Sequence, residues 1–174
     1  EWSTDTIDYP YINVIFGFDS SNVYFLGNHA LYIYDGKSYT PHNLSDLYFN
    51  VIGGIDPANV FIGGSYPNGD YRLVKWNGIS FQDIPTPSDT TQDIGFTAIS
   101  VKSEKEIWLA SQGKLFFYDG TYFKEFEIDS TSVIKYFTEQ DGKLLASGRR
   151  YLCPANCDAE TNIYQFGNNI WTKI

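Results

Sequence analysis

Short apolar runs alternate with polar turns along the whole chain, and no segment holds a 3.6-residue periodicity. That pattern predicts strands throughout and essentially no helix. The strands come in sets of four. The first of each set reads Ile12-Asn13-Val14-Ile15, Phe49-Asn50-Val51-Ile52, Phe96-Thr97-Ala98-Ile99 and Val133-Ile134-Lys135-Tyr136. A polar turn rich in Asp, Asn, Ser, Pro or Gly follows, and such residues cap their own backbone or accept unusual φ angles. The second strands, such as Val60-Phe61-Ile62-Gly63-Gly64 and Ile107-Trp108-Leu109-Ala110-Ser111, are nearly continuous apolar runs that end in small residues. This predicts strands buried on both faces, with close backbone approach at their ends.

The third strand of each set leads into a repeated signature. An aromatic residue, two turn residues and a further aromatic recur as Tyr34-Asp35-Gly36 with Tyr39, Trp76-Asn77-Gly78 with Phe81, Tyr118-Asp119-Gly120 with Phe123, and Phe166-Gly167-Asn168 with Trp171. Positions 36 to 78, 78 to 120 and 120 to 168 are separated by 42, 42 and 48 residues. Asp-Gly or Asn-Gly between apolar runs predicts a hairpin whose two central residues take positive φ. A four-strand unit repeated at a period in the forties predicts an all-β chain, a β-propeller of four four-stranded blades of about 42 residues each. The competing fold, a β-sandwich, rarely repeats a whole four-strand unit. The blades are expected at residues 12–41, 49–84, 96–128 and 133–174. Residues 1–8, with Trp2, read as a surplus outer strand. Four units plus one strand fit either a segment of a longer propeller or a four-bladed ring with Trp2 across an edge.

Aromatic residues make up 18% of the chain and Met is absent, a composition suited to strands. The formal charge of −9 repels phosphate, so neither nucleic acid nor an anionic membrane is an expected partner. No apolar run reaches transmembrane length. The only cysteines, Cys153 and Cys157, flank a Pro- and Asn-containing turn, a spacing that suits a small disulfide. That pairing predicts an oxidising compartment: extracellular, periplasmic or cell-surface. The chain starts at Glu1 with no initiator Met, which reads as a mature or excised piece. Asn43-Leu44-Ser45 matches the short glycosylation pattern.

Residues 96–126, FTAISVKSEKEIWLASQGKLFFYDGTYFKEF, carry an inner strand, a turn, an apolar strand with Trp, a small-residue stop and a Tyr-Asp hairpin. This blade resembles those of sensor propellers in the periplasmic parts of two-component regulators. Residues 59–84 are similar to kelch repeats through Gly63-Gly64, Tyr71 and Phe81, although blade three has Ala110-Ser111 where kelch repeats place paired Gly. The resemblance implies a binding or scaffolding role and no particular chemistry.

The residues themselves offer no catalytic motif. Neither His29 nor His42 accompanies a nucleophile motif such as Gly-x-Ser-x-Gly. The Asp and Glu residues fall mostly in turns, and no calcium-loop or zinc spacing is present, so no metal and no cofactor is expected. Propeller geometry gathers the loops after each second strand on one face. The longest insertions, 65–70 and 149–161, both fall there and offer Tyr66, Asn68, Arg149, Arg150 and Tyr151, with His29 on the same face in blade one. Aromatic, Arg and Asn groups suit stacking and hydrogen bonding to a partner. The plain alternative for the Arg149-Arg150 pair is ion pairing with nearby acids. The expectation is a non-catalytic extracytoplasmic scaffold that binds protein or glycan, or copies of itself. A propeller glycosidase or lyase, or a receptor's sensor domain, are the alternatives.

Overall fold

The computed structural model describes residues 11–27, 29–44, 48–66, 69–87, 95–151 and 159–174. The described residues form strands and turns, with no helix among them. The first sheet comprises β1 (Ile12–Asp19), β2 (Asn22–Gly27), β3 (Ala30–Tyr34) and β4 (Tyr39–Asn43). The second comprises β5 (Tyr48–Asp56), β6 (Asn59–Ser65), β7 (Tyr71–Trp76) and β8 (Phe81–Ile84). The third comprises β9 (Ala98–Ser103), β10 (Glu106–Ser111), β11 (Lys114–Tyr118) and β12 (Phe123–Glu127). The fourth comprises β13 (Ser132–Gln140), β14 (Lys143–Tyr151), β15 (Ala159–Gly167) and β16 (Ile170–Lys173). Each is an antiparallel meander in chain order, and the four together make the blades of a β-propeller.

The innermost strands pack in succession, β1 on β5, β5 on β9 and β9 on β13. Each middle sheet turns one face to the next sheet and the other to the one before. The register fixes which residues share the leading face: Phe16, Tyr24 and Ile33 lie across the first sheet, and Gly53, Phe61 and Lys75 across the second. Ser100, Trp108 and Phe117 follow in the third, and Thr138, Leu145 and Gln165 in the fourth. Three buried clusters join the sheets. Tyr24, Leu26 and Leu31 meet Ile62, Val74 and Trp76; Phe61 and Leu73 meet Ile107, Leu109 and Phe116; Ala110 and Leu115 meet Ile134, Ala146 and Tyr164. Among the described residues, no buried cluster joins the fourth sheet to the first. The second strands of the two middle sheets, β6 and β10, are buried on both faces because each is sandwiched in this way.

The hairpins between third and fourth strands correct the turn expected from Asp-Gly. Tyr34 pairs with Tyr39, Trp76 with Phe81 and Tyr118 with Phe123, so these loops hold four residues and not two. Only the glycine of each takes positive φ, at 92° for Gly36, 89° for Gly78 and 93° for Gly120. The preceding Asp or Asn acts as a side-chain cap instead. Asp119 Oδ1 accepts hydrogen bonds from the backbone amides of Thr121 (2.8 Å) and Tyr122 (2.7 Å), and Asp35 and Asn77 do the same in their turns. The fourth hairpin is the two-residue form: Gly167 pairs with Ile170, and Asn168 and Asn169 hold φ of 50° and 63°.

A second correction concerns 149–161. Arg149 and Arg150 do not lie in an insertion. They belong to β14, where Arg149 pairs with Val133 and Thr161, and Arg150 with Ser132 and Glu160. The ladder runs on to Tyr151 opposite Ala159. The disulfide expected between Cys153 and Cys157, the surplus strand at residues 1–8, and Asn68 lie outside the described residues.

Candidate functional site

The seams between sheets differ in how they close at the edge that carries the turns between first and second strands. At the first seam the Tyr24 hydroxyl donates to the Pro57 carbonyl at 3.1 Å. Burial, helped by the charges of Asp56 and Asp19, pushes its pKa up to about 12, so it stays a donor. At the second seam Lys75 lies 5.8 Å from the Phe61 ring centre and pairs with Glu104 at 2.8 Å. The third seam holds a cleft at this edge. This cleft, of about 410 Å³, lies between the third and fourth sheets, with Trp108, Phe117, Phe126 and Phe166 as its apolar walls.

Trp108 is the repeat equivalent of Tyr24 and Phe61, and so it faces the following sheet. It is only 4% exposed. Its ring meets Phe166 at 4.7 Å, Phe117 at 4.9 Å, Trp171 at 5.3 Å and Phe126 at 5.6 Å. Two lysines bracket the mouth. Lys124 donates to Asn169 Oδ1 at 2.7 Å and lies 4.9 Å over the Phe126 ring. Lys102 bridges Glu139 across the seam and Glu106 on its own sheet at 3.4 Å. The bond to Glu139 is the main reason its ammonium is held above the ordinary lysine range. Aromatic walls with a charged, hydrogen-bonding rim suit a ring or apolar side chain carried on a polar backbone.

General acid catalysis needs a carboxyl held above its usual range. The displaced carboxylates here go the other way. Hydrogen bonds from turn amides hold Asp19, Asp35 and Asp119 below the usual range, and those from Thr131 do so for Asp129. These aspartates are turn caps.

The residues chosen from sequence lie on the opposite edge, in separate places. Tyr66 is 40% exposed and lies under the Arg72 guanidinium at 5.2 Å, and Arg72 also pairs with Asp83. Arg150 pairs with Asp129 at 2.9 Å and reaches Glu160 at 3.8 Å. His29 lies 6.1 Å from the Tyr48 ring. Arg149 is exposed on the leading face of the fourth sheet. Of Tyr151 the structure describes the backbone at the end of β14. Among the described residues, no hydrogen bond, ion pair or ring contact joins Tyr66, Arg150 and His29 to one another. The cleft escaped sequence reading. Its signals were Trp108 at the seam position and the basic residue Lys124 directly after the signature aromatic Phe123.

His42 is a seam residue. Its ring lies 4.6 Å from Trp76 and 6.2 Å from Phe81, and burial holds its pKa below the ordinary histidine value. The unfolded chain therefore takes up the proton more readily, and acidification favours unfolding. We expect the thermal midpoint to fall as pH drops through about 6.5, the unperturbed histidine value. In His42→Gln that step should shrink between pH 7.5 and 5.5, and a step of equal size in the variant would refute the assignment.

No protein-family model matches the chain, and no curated protein matches it. Solved structures do. The extracellular domain of the one-component system protein BT4673 from B. thetaiotaomicron superposes with a TM-score of 0.71 at 16% identity, covering 99% of this chain and 23% of that one. The WD40 domain of Neurospora crassa Pan2 gives 0.65 at 14% identity, covering 92% of this chain and 50% of its own. YCF48 bound to the D1 peptide gives 0.58 at 15% identity, covering 95% and 68%. The chain thus spans about a quarter to two thirds of these propellers. At such identities the likeness establishes the propeller fold, and it agrees with the resemblance to sensor propellers in architecture.

Proposed function

We propose that the protein is a non-catalytic, extracytoplasmic binding module whose protein partner inserts a ring or apolar side chain into the cleft between the third and fourth sheets. The observation that carries this reading is the cleft at the third seam, where four aromatic walls sit between Lys102 and Lys124. Buried aromatic anchors with a polar rim are what small interfaces depend on for affinity. The first two seams close the same position with Tyr24 to Pro57 and Lys75 to Glu104. A protein partner is favoured over a glycan because the mouth already pairs its own charges, which leaves few free polar groups for sugar hydroxyls. The propeller of YCF48 is known with a bound peptide, which supports the class of partner.

The test is selection from a random peptide library, run beside a glycan array, on the immobilised chain. Peptides are expected that lose about tenfold or more in affinity, or ~1.4 kcal/mol, with Phe117→Ala. The same peptides should tolerate Tyr66→Ala and Arg150→Ala. Loss with those two variants alone would move the site to the opposite edge, and glycan ligands alone would reject the protein partner. The compartment has its own check. Mass spectrometry without reductant should find Cys153 joined to Cys157, and two free thiols would remove the reason for an oxidising compartment.

A further inference from the structure

The leading face of the fourth sheet is built unlike those of the first and third. Where the first sheet presents Leu26 and the third Ala110, the fourth presents Ser147. Where they present Ile33 and Phe117, it presents Gln165. Polar residues at positions that elsewhere form inter-sheet cores describe a surface made for water or a polar partner. On that face lies a shallow pocket of about 440 Å³, lined by Lys135, Tyr136, Ser147, Gly148, Arg149 and Thr161.

Its chemistry is basic in a chain of net charge −9. Among the described residues, no carboxylate lines it. Arg149 stands opposite Val133 and Thr161, and a bulge between Ile134 and Tyr136 brings Lys135 to the same place. Among the described residues, neither cation has an ion pair, while Arg150, one position on, has two. The Tyr136 ring is 72% exposed beside them. Ser147 and Thr161 add hydroxyls, and Gly148 adds backbone without a side chain.

We propose that this face binds an acidic peptide segment in extended conformation, its carboxylates on Arg149 and Lys135 and its backbone along the hydroxyls. Charge complementarity selects the carboxylate, and Arg presents the fork that matches it. The spacing selects the peptide. The two cations lie on neighbouring strands about two residues apart along the ladder, which suits carboxylates at alternate positions of an extended chain.

A blocked six-residue peptide alternating Glu and Thr tests this by fluorescence anisotropy, with its Gln counterpart and free glutarate as controls. Binding of the Glu peptide should weaken with added salt. It should fall about tenfold or more, ~1.4 kcal/mol, for the Gln peptide, for Arg149→Gln and for Lys135→Gln. Arg150→Gln should leave it unchanged, as should Phe117→Ala in the separate cleft. Both target side chains are on the surface, so a preserved thermal midpoint will confirm folded variants. Equal binding by wild type and Arg149→Gln overturns the proposal, as does absence of binding at millimolar peptide. Glutarate competing as strongly as the peptide also overturns it, in favour of a small-carboxylate site.

Discussion

Replacing Trp108 with Ala is expected to cost about 3–5 kcal/mol of folding stability, the usual range for removing a large buried ring. The ring touches Phe166 and Trp171 on the fourth sheet as well as Phe117 and Phe126 on its own. The rest of the third seam buries Leu115, Ile134 and Tyr164 beside Ala98, Ala110 and Ala146. Trp108 adds ring contacts to both sheets at one edge of that seam. In a tandem array each unit is stabilised by its neighbours, so weakening one seam uncouples what lies beyond it. Urea denaturation followed by circular dichroism should show a lower midpoint and a separate early transition for the fourth sheet. A single transition displaced by less than about 1 kcal/mol would mean that other contacts join these sheets.

Gly64→Ala is the second large effect, and its sign runs against the usual one. Gly to Ala in a compatible conformation stabilises by about 0.4–1 kcal/mol, because the unfolded chain loses freedom. At Gly64 an added methyl would press into the Tyr48 carbonyl oxygen and come within 2.8 Å of the Phe49 Cα. These are backbone atoms of the paired strand β5 and cannot rotate away. The bulge between Phe49 and Val51 draws that strand in at this point. We expect a loss of about 2–3 kcal/mol, at the upper end for overpacking. Gly167→Ala is the matched control. Nothing lies within 4 Å of its added methyl, and its φ is not positive, so it should be neutral or mildly stabilising. Comparable losses at both positions would show that the backbone approach at Gly64 is not what matters.

The same glycine shows why the architecture was legible. Small residues closing each second strand, and an aromatic on either side of each hairpin, are local facts repeated four times. Repetition turns weak signals into one architecture, since each copy must bury its apolar face against a like neighbour. The hairpins were only half legible. Asp-Gly marks a turn in any setting, but Asp35 and Asp119 cap four-residue loops through their carboxylates, and loop length depends on which residues pair across the strands. The placement of Arg149 and Arg150 failed for a similar reason. Thr161 and Glu160, their partners, lie beyond a long stretch of chain and show no strand pattern by themselves.

The cleft lay beyond the reach of sequence because it belongs to two sheets at once. Trp108 and Glu139 are 31 positions apart, and Trp108 marks a seam position without telling how the facing sheet will pack on it. The polar leading face of the fourth sheet depends in the same way on register, since a one-residue slip would turn Ser147 and Arg149 to the other side.

Period, strand content and turn residues by themselves determined that four like sheets follow one another, because apolar alternation and backbone preference act within a few residues. Which seam holds a cleft, which charges meet across it and which arginine has no acid among the described residues were decided by tertiary structure alone. Those outcomes depend on how side chains from distant strands fill a shared volume, and close packing is a property of the assembled sheets.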